Sequence, residues 1–193
     1  QYVSSTIASS TLVNDHIRSL IVASDSSVWI GTSSGLNQFD PYTEQFKLFT
    51  FNPNVENSIS SDEIYTIQED HKGSIWVGTS GGGLNKYDPE SNTFKCYRVE
   101  DGLAGNDVYG IEEDQKGQMW ISTDNGITNI DLVRNSFRNF YREDELYGNQ
   151  FNPGAVFKTE KGEILFGDTK GFTFFKPEQM KTNPFAPNVI FTS

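Results

Sequence analysis

Two stretches of this sequence are nearly the same and decide the fold: VWIGTSSGLNQFDP, which begins at Val28, and IWVGTSGGGLNKYDP, which begins at Ile75. Two weaker copies follow, MWISTDNGITNIDL from Met119 and ILFGDTKGFTFFKP from Ile164. The tryptophan of each copy, or the leucine in its place, recurs at intervals of 47, 44 and 45 residues, at Trp29, Trp76, Trp120 and Leu165. A period of this size indicates one repeated supersecondary unit.

Each repeat contains the signals of four short strands. An apolar run lies upstream of the tryptophan, as at Ile64 and Ile67, and it ends in a turn such as Glu69 to Gly73. Asp accepts local backbone N–H bonds and Gly adopts positive φ, which is hairpin chemistry. A second glycine turn follows the tryptophan strand, and a third strand then ends where a proline stops it, as at Pro89. A fourth strand of alternating aromatic residues completes the repeat.

A four-stranded unit of this kind cannot bury both faces alone. Such units stack radially as the blades of a β-propeller, which typically has about 4–8 blades. We therefore predict an all-β fold of four blades with four antiparallel strands each, as a fragment of a larger propeller. The predicted blades cover residues 13–57, 58–104, 105–149 and 150–181, and residues 182–193 form a linker.

Composition and charge exclude several function classes. The formal charge of −11, from 15 Lys and Arg against 26 Asp and Glu, repels phosphate backbones and anionic lipids, so neither nucleic acid nor a membrane is predicted to contact this segment. The single Cys96 closes no intramolecular disulfide. His16 and His71 lie at different phases of the repeat, and the Asp turns offer too few oxygens for calcium. We predict no metal and no cofactor.

The residues that recur at one phase are predicted to be structural. A sugar-stacking role for the tryptophans is the alternative, but a residue that every blade requires favours packing between blades. The predicted structural anchors are Trp29, Trp76, Trp120, Gly31, Gly78 and Gly167. No nucleophile elbow, phosphate loop or zinc helix occurs, so no catalytic residue is predicted.

The positions at which the repeats differ are the candidates for ligand binding. They lie at the start of the innermost strand of each blade, near the central channel and one of its mouths, where variation is tolerated by the fold and useful for recognition. Ordinary lining of the channel is the alternative. The candidates are His16, Arg18, Glu63, Tyr65, Asp107, Tyr109 and Asn152.

The segment from Ile75 to Pro89 resembles the two-component regulator propeller repeat, and the resemblance extends from about Val13 to Pro177. Such repeats build the periplasmic sensor region of hybrid two-component histidine kinases in Bacteroidetes. The Asn183-Pro184-Phe185-Ala186-Pro187 tail is similar to the entrance of that family's Ig-like β-sandwich. The resemblance implies a non-catalytic segment that recognises glycan-derived oligosaccharides and signals to transcription of polysaccharide-utilisation genes, with the kinase part outside these residues.

Two other functions and one assembly stay open at this point. A propeller enzyme, either a lyase or a hydrolase acting on polysaccharide, and a protein-interaction scaffold are the alternatives. Four blades from a larger ring leave the outer faces of the first and last blades uncovered, so apolar side chains on the Trp29 and Leu165 strands are expected to meet water. Burial of such faces favours a homodimer of the isolated chain, with a compact monomer as the alternative.

Overall fold

The computed structural model describes residues 11–144 and 146–180, and their fold is all-β with four antiparallel sheets. The first two sheets contain β1 (Ile17–Val22), β2 (Val28–Thr32), β3 (Gly35–Asp40), β4 (Gln45–Phe49), β5 (Ile64–Glu69), β6 (Ile75–Thr79), β7 (Gly83–Asp88) and β8 (Thr93–Tyr97). The last two contain β9 (Val108–Glu113), β10 (Met119–Thr123), β11 (Gly126–Asp131), β12 (Ser136–Phe140), β13 (Phe151–Lys158), β14 (Ile164–Asp168) and β15 (Phe172–Phe175). Short 3-10 turns span Val99–Asp101, Arg142–Asp144 and Pro177–Gln179. The predicted linker at 182–193 lies outside the described residues.

Each sheet is a simple up-and-down meander, and the predicted propeller blades are confirmed. The first three sheets have four strands in chain order. The fourth differs from the prediction, because within the described residues it contains only β13, β14 and β15. After Phe175 the chain enters the 3-10 turn at Pro177, and proline cannot donate to a ladder, so no fourth strand pairs with β15 before residue 180.

The core lies between the sheets. One apolar cluster joins the first and second sheets, another joins the second and third, and another joins the third and fourth. The innermost strands of consecutive sheets, β1, β5, β9 and β13, also pack side by side. This arrangement brings the starts of the innermost strands, with the candidate ligand residues, to one end of the molecule.

The recurrent tryptophans are buried and point toward the following sheet. Trp29 contacts Tyr87 of the second sheet edge-on, at 5.1 Å between ring centroids. Trp120 contacts Phe175 of the fourth sheet with the two rings tilted by 52°, at 4.8 Å between centroids. Leu165 occupies the equivalent position of the last sheet and is only partly buried. The tryptophan phase of the repeat is therefore the phase that faces a neighbouring sheet.

A carboxylate holds the indole in two of the blades. Asp70 Oδ2 accepts a hydrogen bond of 2.9 Å from Trp76 Nε1, and its Oδ1 accepts the backbone N–H of Ser74. Asp114 and Trp120 repeat this contact at 3.0 Å. Burial opposes ionisation of Asp70, but the bonds from Trp76 and the backbone outweigh it and hold the pKa below the usual 3.8. The stabilisation that this pKa shift reflects is present above the usual pKa and is lost as the pH falls through the lowered value.

The glycine after the tryptophan is required by a close approach between blades. A Cβ on Gly78 would lie 2.5 Å from Val108 Cγ1 of the next sheet and 2.6 Å from Thr66 on the paired strand. The third blade has Ser122 in this place, and there the paired residue on the innermost strand is Gly110. In the second blade the pair is Thr66 on the innermost strand and Gly78 on the next strand, and in the third blade it is Gly110 and Ser122. The glycine has changed strands, but each pair still contains one glycine.

The exchange leaves a buried hydroxyl without a partner, and this gives a first testable prediction. Ser122 is buried and its Oγ makes no hydrogen bond to any described residue. An unpaired buried hydroxyl costs free energy, so Ser122→Ala should leave the free energy of unfolding unchanged or raise it by about 1 kcal/mol. The measurement is denaturant unfolding of both proteins.

The neighbouring threonine supplies the control for this prediction. Thr123 is also buried, and its hydroxyl donates a 3.0 Å bond to the backbone oxygen of Gly126. The same oxygen accepts the backbone N–H of Asn125 at 3.1 Å. Thr123→Val keeps the shape and loses both bonds, so it should cost about 1–3 kcal/mol. If Ser122→Ala lost as much stability as Thr123→Val, the Ser122 hydroxyl would not be unpaired, and the prediction would be wrong.

The two end sheets expose apolar side chains, although not all of those expected. On the last sheet Phe157 and Phe174 are exposed and flank Leu165, the residue at the tryptophan position. On the first sheet the exposed side chains come from β1 and β4, at Leu20 and Leu48, rather than from the Trp29 strand. Trp29 points toward the second sheet, and Ile30, whose side chain alternates to the opposite face of the same strand, is also buried. The homodimer stays a prediction.

Candidate functional site

The candidate ligand residues lie where each innermost strand begins, beside the turn that follows the tryptophan strand. The register shows this directly, because Ile17 pairs with Thr32, Ile64 with Thr79 and Val108 with Thr123. The first residue of the innermost strand therefore meets the last residue of the second strand in these sheets. Polar side chains from both places converge at this end of the sheets.

Arg18 joins the first sheet to the second. Its Nη2 lies 2.6 Å from Glu63 Oε1, and its guanidinium lies over the ring of Tyr65, 5.2 Å from the centroid. His16 lies beside it, with Nδ1 2.6 Å from Ser33 Oγ, the same oxygen that Arg18 approaches at 3.4 Å. The candidates of the first two sheets thus form one contact network.

Two tyrosines join the second sheet to the third. The rings of Tyr65 and Tyr109 are 5.3 Å apart between centroids and tilted by 54°. The Tyr65 hydroxyl donates to Ser80 Oγ at 3.1 Å, and Ser80 donates to Asp107 Oδ1 at 3.0 Å. We call the set Arg18, Glu63, Tyr65, Ser80, Asp107 and Tyr109 the tyrosine mouth.

The hydroxyl of Tyr109 is available as a hydrogen-bond donor. Burial, together with the negative charge of Asp107 and the neighbouring Tyr65 and Asp124, raises the pKa of Tyr109 to about 12. The phenol therefore keeps its proton at neutral pH. Within the described ranges, no hydrogen bond from this hydroxyl is formed, so it can donate to a ligand.

Asn152 lies apart from the tyrosine mouth. Its Nδ2 donates a 2.8 Å bond to the backbone oxygen of Asp168 in the fourth sheet. Ser33, Ser80 and Asp124, which contact the candidates, were not selected from the sequence. They occupy the turn after the tryptophan strand, where the repeats also differ, so the same signal of variation at one phase could have found them.

No metal centre is found in the part of the chain that the structure describes, since no three His, Cys, Asp or Glu side chains there are grouped to hold an ion. The turn carboxylates of Asp70 and Asp114 are instead bonded to indole and backbone N–H groups. Among residues 11–144 and 146–180, no helix is long and apolar enough to cross a membrane.

The chain is similar to proteins of two-component signalling. The two-component regulator propeller family matches residues 58–81 and 102–125. Histidine kinase P4 of Formosa agariphila is 30% identical over 188 residues, which are 94% of this chain and 13% of that protein. The extracellular domain of a protein described as the hybrid two component system BT3049, from B. thetaiotaomicron, is 28% identical with a TM-score of 0.80, over 94% of this chain and 24% of that one. This chain thus spans only a small part of these relatives.

A more distant likeness concerns the fold alone. Virginiamycin B lyase from Staphylococcus aureus superposes with a TM-score of 0.59 at 16% identity, over 88% of this chain and 59% of the lyase. At so low an identity, the activity of one propeller does not indicate the activity of another, because one fold supports many functions. The enzyme alternative gains no support from it.

Proposed function

Because this chain is built from two-component regulator propeller repeats, we propose that it is a ligand-sensing segment of a periplasmic, hybrid two-component receptor and that it binds glycan-derived oligosaccharides. The tyrosine mouth is the binding place. The segment itself carries no catalysis in this proposal. Binding outside the membrane is passed to a histidine kinase part of the whole protein and then to transcription of polysaccharide-utilisation genes.

The observation that carries the proposal is the tyrosine pair with its unpaired donor. Aromatic rings pack against the apolar CH faces of sugars, while a phenol hydroxyl bonds to sugar oxygens. Tyr65 and Tyr109 provide both rings side by side, and the Tyr109 hydroxyl has no partner among the described residues. Glu63 and Arg18 lie next to the rings, with part of each side chain exposed, and offer an acceptor and donors to hydroxyl groups.

The position of the mouth suits a sensor. The contacts from Arg18 to Glu63, and from Ser80 to Asp107, each cross from one sheet to the next. A ligand that touches both tyrosines therefore stabilises one relative placement of the second and third sheets, and a ligand that also contacts Arg18 includes the first sheet. A ligand shifts a conformational equilibrium only as far as it binds the two states differently, and a site that spans several sheets provides such a difference.

The proposal predicts that the two tyrosines together are needed for glycan binding. The full 193-residue chain should be retained on a subset of spots in an array of neutral and sulfated oligosaccharides. The double variant Tyr65→Ala, Tyr109→Ala should bind those spots at least about tenfold more weakly, since about 1.4 kcal/mol of lost ring contact corresponds to tenfold. Neutral glycans are expected to dominate, because the chain carries a net charge of −11.

The control variant removes a tyrosine that lies elsewhere. Tyr42 is exposed in the turn after β3, and Tyr42→Ala should bind as the unchanged chain does. The proposal is wrong if no glycan retains the unchanged chain, or if the double variant folds and binds equally well. If the chain were retained only on sulfated glycans, the expected preference for neutral glycans would be wrong. The double variant would still test whether the tyrosine mouth binds them.

A further inference from the structure

A second polar cleft lies between the third and fourth sheets, beside the tyrosine mouth. It has a volume of 360 Å³. The segments that line it are the β10–β11 turn, the connection from β12 to β13 and the β14–β15 turn. They contribute Asp124, Arg142, Tyr147, Gly148, Asp168 and Lys170, among others. Two hydrogen bonds tie it to candidate residues, from Asp107 N to Asp124 and from Asn152 to Asp168 O.

The inner end of the cleft contains an acceptor without a partner. Asp168 is 6% exposed, and its Oδ1 accepts the backbone N–H of Lys170 at 2.6 Å. Its Oδ2 is buried and bonded to no described residue. An unsatisfied buried acceptor of this kind is costly, so a ligand that donates to it gains more than a bond at the surface would.

A glycine leaves room next to this oxygen. A Cβ on Gly148 would lie 3.3 Å from Asp168 Oδ2. The backbone of Gly148 is not in the left-handed region, so its conformation does not itself require glycine. The missing side chain keeps open the space between the cleft and the free oxygen.

The outer part of the cleft offers donors and an aromatic ring. Tyr147 is 60% exposed and rests against Gly171, where a Cβ would lie 3.3 Å from its Cε1. Arg142 and Lys170 also line the cleft, and neither takes part in any ion pair of the described residues. Two cationic side chains and an aromatic ring therefore line the same cleft as the two carboxylates of Asp124 and Asp168.

The presence of two cationic and two anionic side chains in one cleft determines whether a charged or a neutral ligand is favoured. A fixed anion would be attracted by Arg142 and Lys170 and repelled by the carboxylates, and a fixed cation would meet the reverse. A hydroxyl group both donates and accepts, so it satisfies both kinds of partner. A sugar ring adds an apolar CH face that packs on an aromatic side chain.

We propose that this cleft is a subsite for one neutral sugar residue. A sugar hydroxyl donates to Asp168 Oδ2, Arg142 and Lys170 donate to ring or hydroxyl oxygens, and Tyr147 packs against the CH face. The inference rests on the proposed function, because it adds a neighbouring subsite to the tyrosine mouth. It can fail while the mouth itself binds glycans.

The test is amide chemical-shift mapping of the isotope-labelled full chain. The probes are glucose, galactose, mannose and xylose, with galacturonate and glucosamine as charged comparators. We expect at least one neutral sugar to shift the amide signals of Gly148, Thr169 and Lys170, with both charged sugars binding more weakly. Gly148→Ala, which fills the space beside Asp168, should weaken this binding at least tenfold, and Tyr147→Ala should do the same.

The control and the contrary outcomes separate the two proposals. Tyr42→Ala should bind as the unchanged chain does, and the amide spectra of all variants report whether they fold. Absence of shifts at the cleft with every neutral sugar, or tighter binding of galacturonate or glucosamine, overturns the subsite. If shifts appear only near Gly81 and Asp107, the subsite is wrong and the tyrosine mouth stands. Unchanged binding by folded Gly148→Ala also overturns it.

Discussion

Trp76→Ala will lower the free energy of unfolding by about 3–5 kcal/mol, the cost of truncating a large buried aromatic side chain. Trp76 is fully buried, stacks on Tyr97 and belongs to the cluster that joins the second and third sheets. Its loss leaves a cavity between blades and leaves Asp70 Oδ2 without its indole partner. Denaturant unfolding, followed by far-UV circular dichroism, measures the effect.

Trp76→Phe separates the two contributions. Phenylalanine keeps much of the ring but cannot donate to Asp70, so it should lose less than Trp76→Ala. As a matched comparison, Leu165→Ala removes the residue at the same phase of the last sheet, where the side chain is only partly buried. It should therefore cost clearly less than Trp76→Ala. Wild-type stability of Trp76→Ala with loss of sugar binding would show that the tryptophan is a ligand platform instead.

Gly78→Val will cost about 3 kcal/mol, the upper end of what overpacking usually costs. A Cβ on Gly78 would lie 2.5 Å from Val108 Cγ1 and 2.8 Å from the backbone oxygen of Val108, which cannot move as a side-chain tip can. The new side chain must push the second and third sheets apart. Thermal and denaturant unfolding measure the loss.

Gly81→Ala is the control for crowding. Gly81 has a φ of 64° and a Cβ there would meet nothing within 4 Å, so this change adds backbone strain without a clash. It should cost about 1 kcal/mol. Equal stability of Gly78→Val and the unchanged chain would contradict the close approach of the blades at this position.

The periodic part of the structure was predictable from the sequence because every blade has the same packing requirement. Every sheet that faces a following sheet needs a large buried residue at one phase, and Trp29, Trp76 and Trp120 mark it. That the last sheet has only three strands within residues 146–180 was not predictable in this way. The aromatic residues Phe174 and Phe175 continue the pattern of the repeat, and only the chain path after Pro177 shows that no strand follows them before residue 180.

Five of the six residues of the tyrosine mouth were predicted as positions from the sequence, whereas Ser80 and the contacts among the six were not. Arg18 and Glu63 are 45 residues apart, and Tyr65 and Tyr109 are 44 apart, so residues near one phase of neighbouring repeats become neighbours in space. Which of them pair depends on side-chain reach between sheets, which no local pattern encodes. The cleft around Asp168 is harder still, because it is formed by three turns that are separate in sequence.

Glycan binding at the tyrosine mouth is tested most directly by a crystal structure of the full chain with an oligosaccharide that the array identifies. We expect sugar density against the rings of Tyr65 and Tyr109, with an oxygen within hydrogen-bond distance of the Tyr109 hydroxyl. Density at another surface, with the tyrosine mouth holding only water, would contradict it.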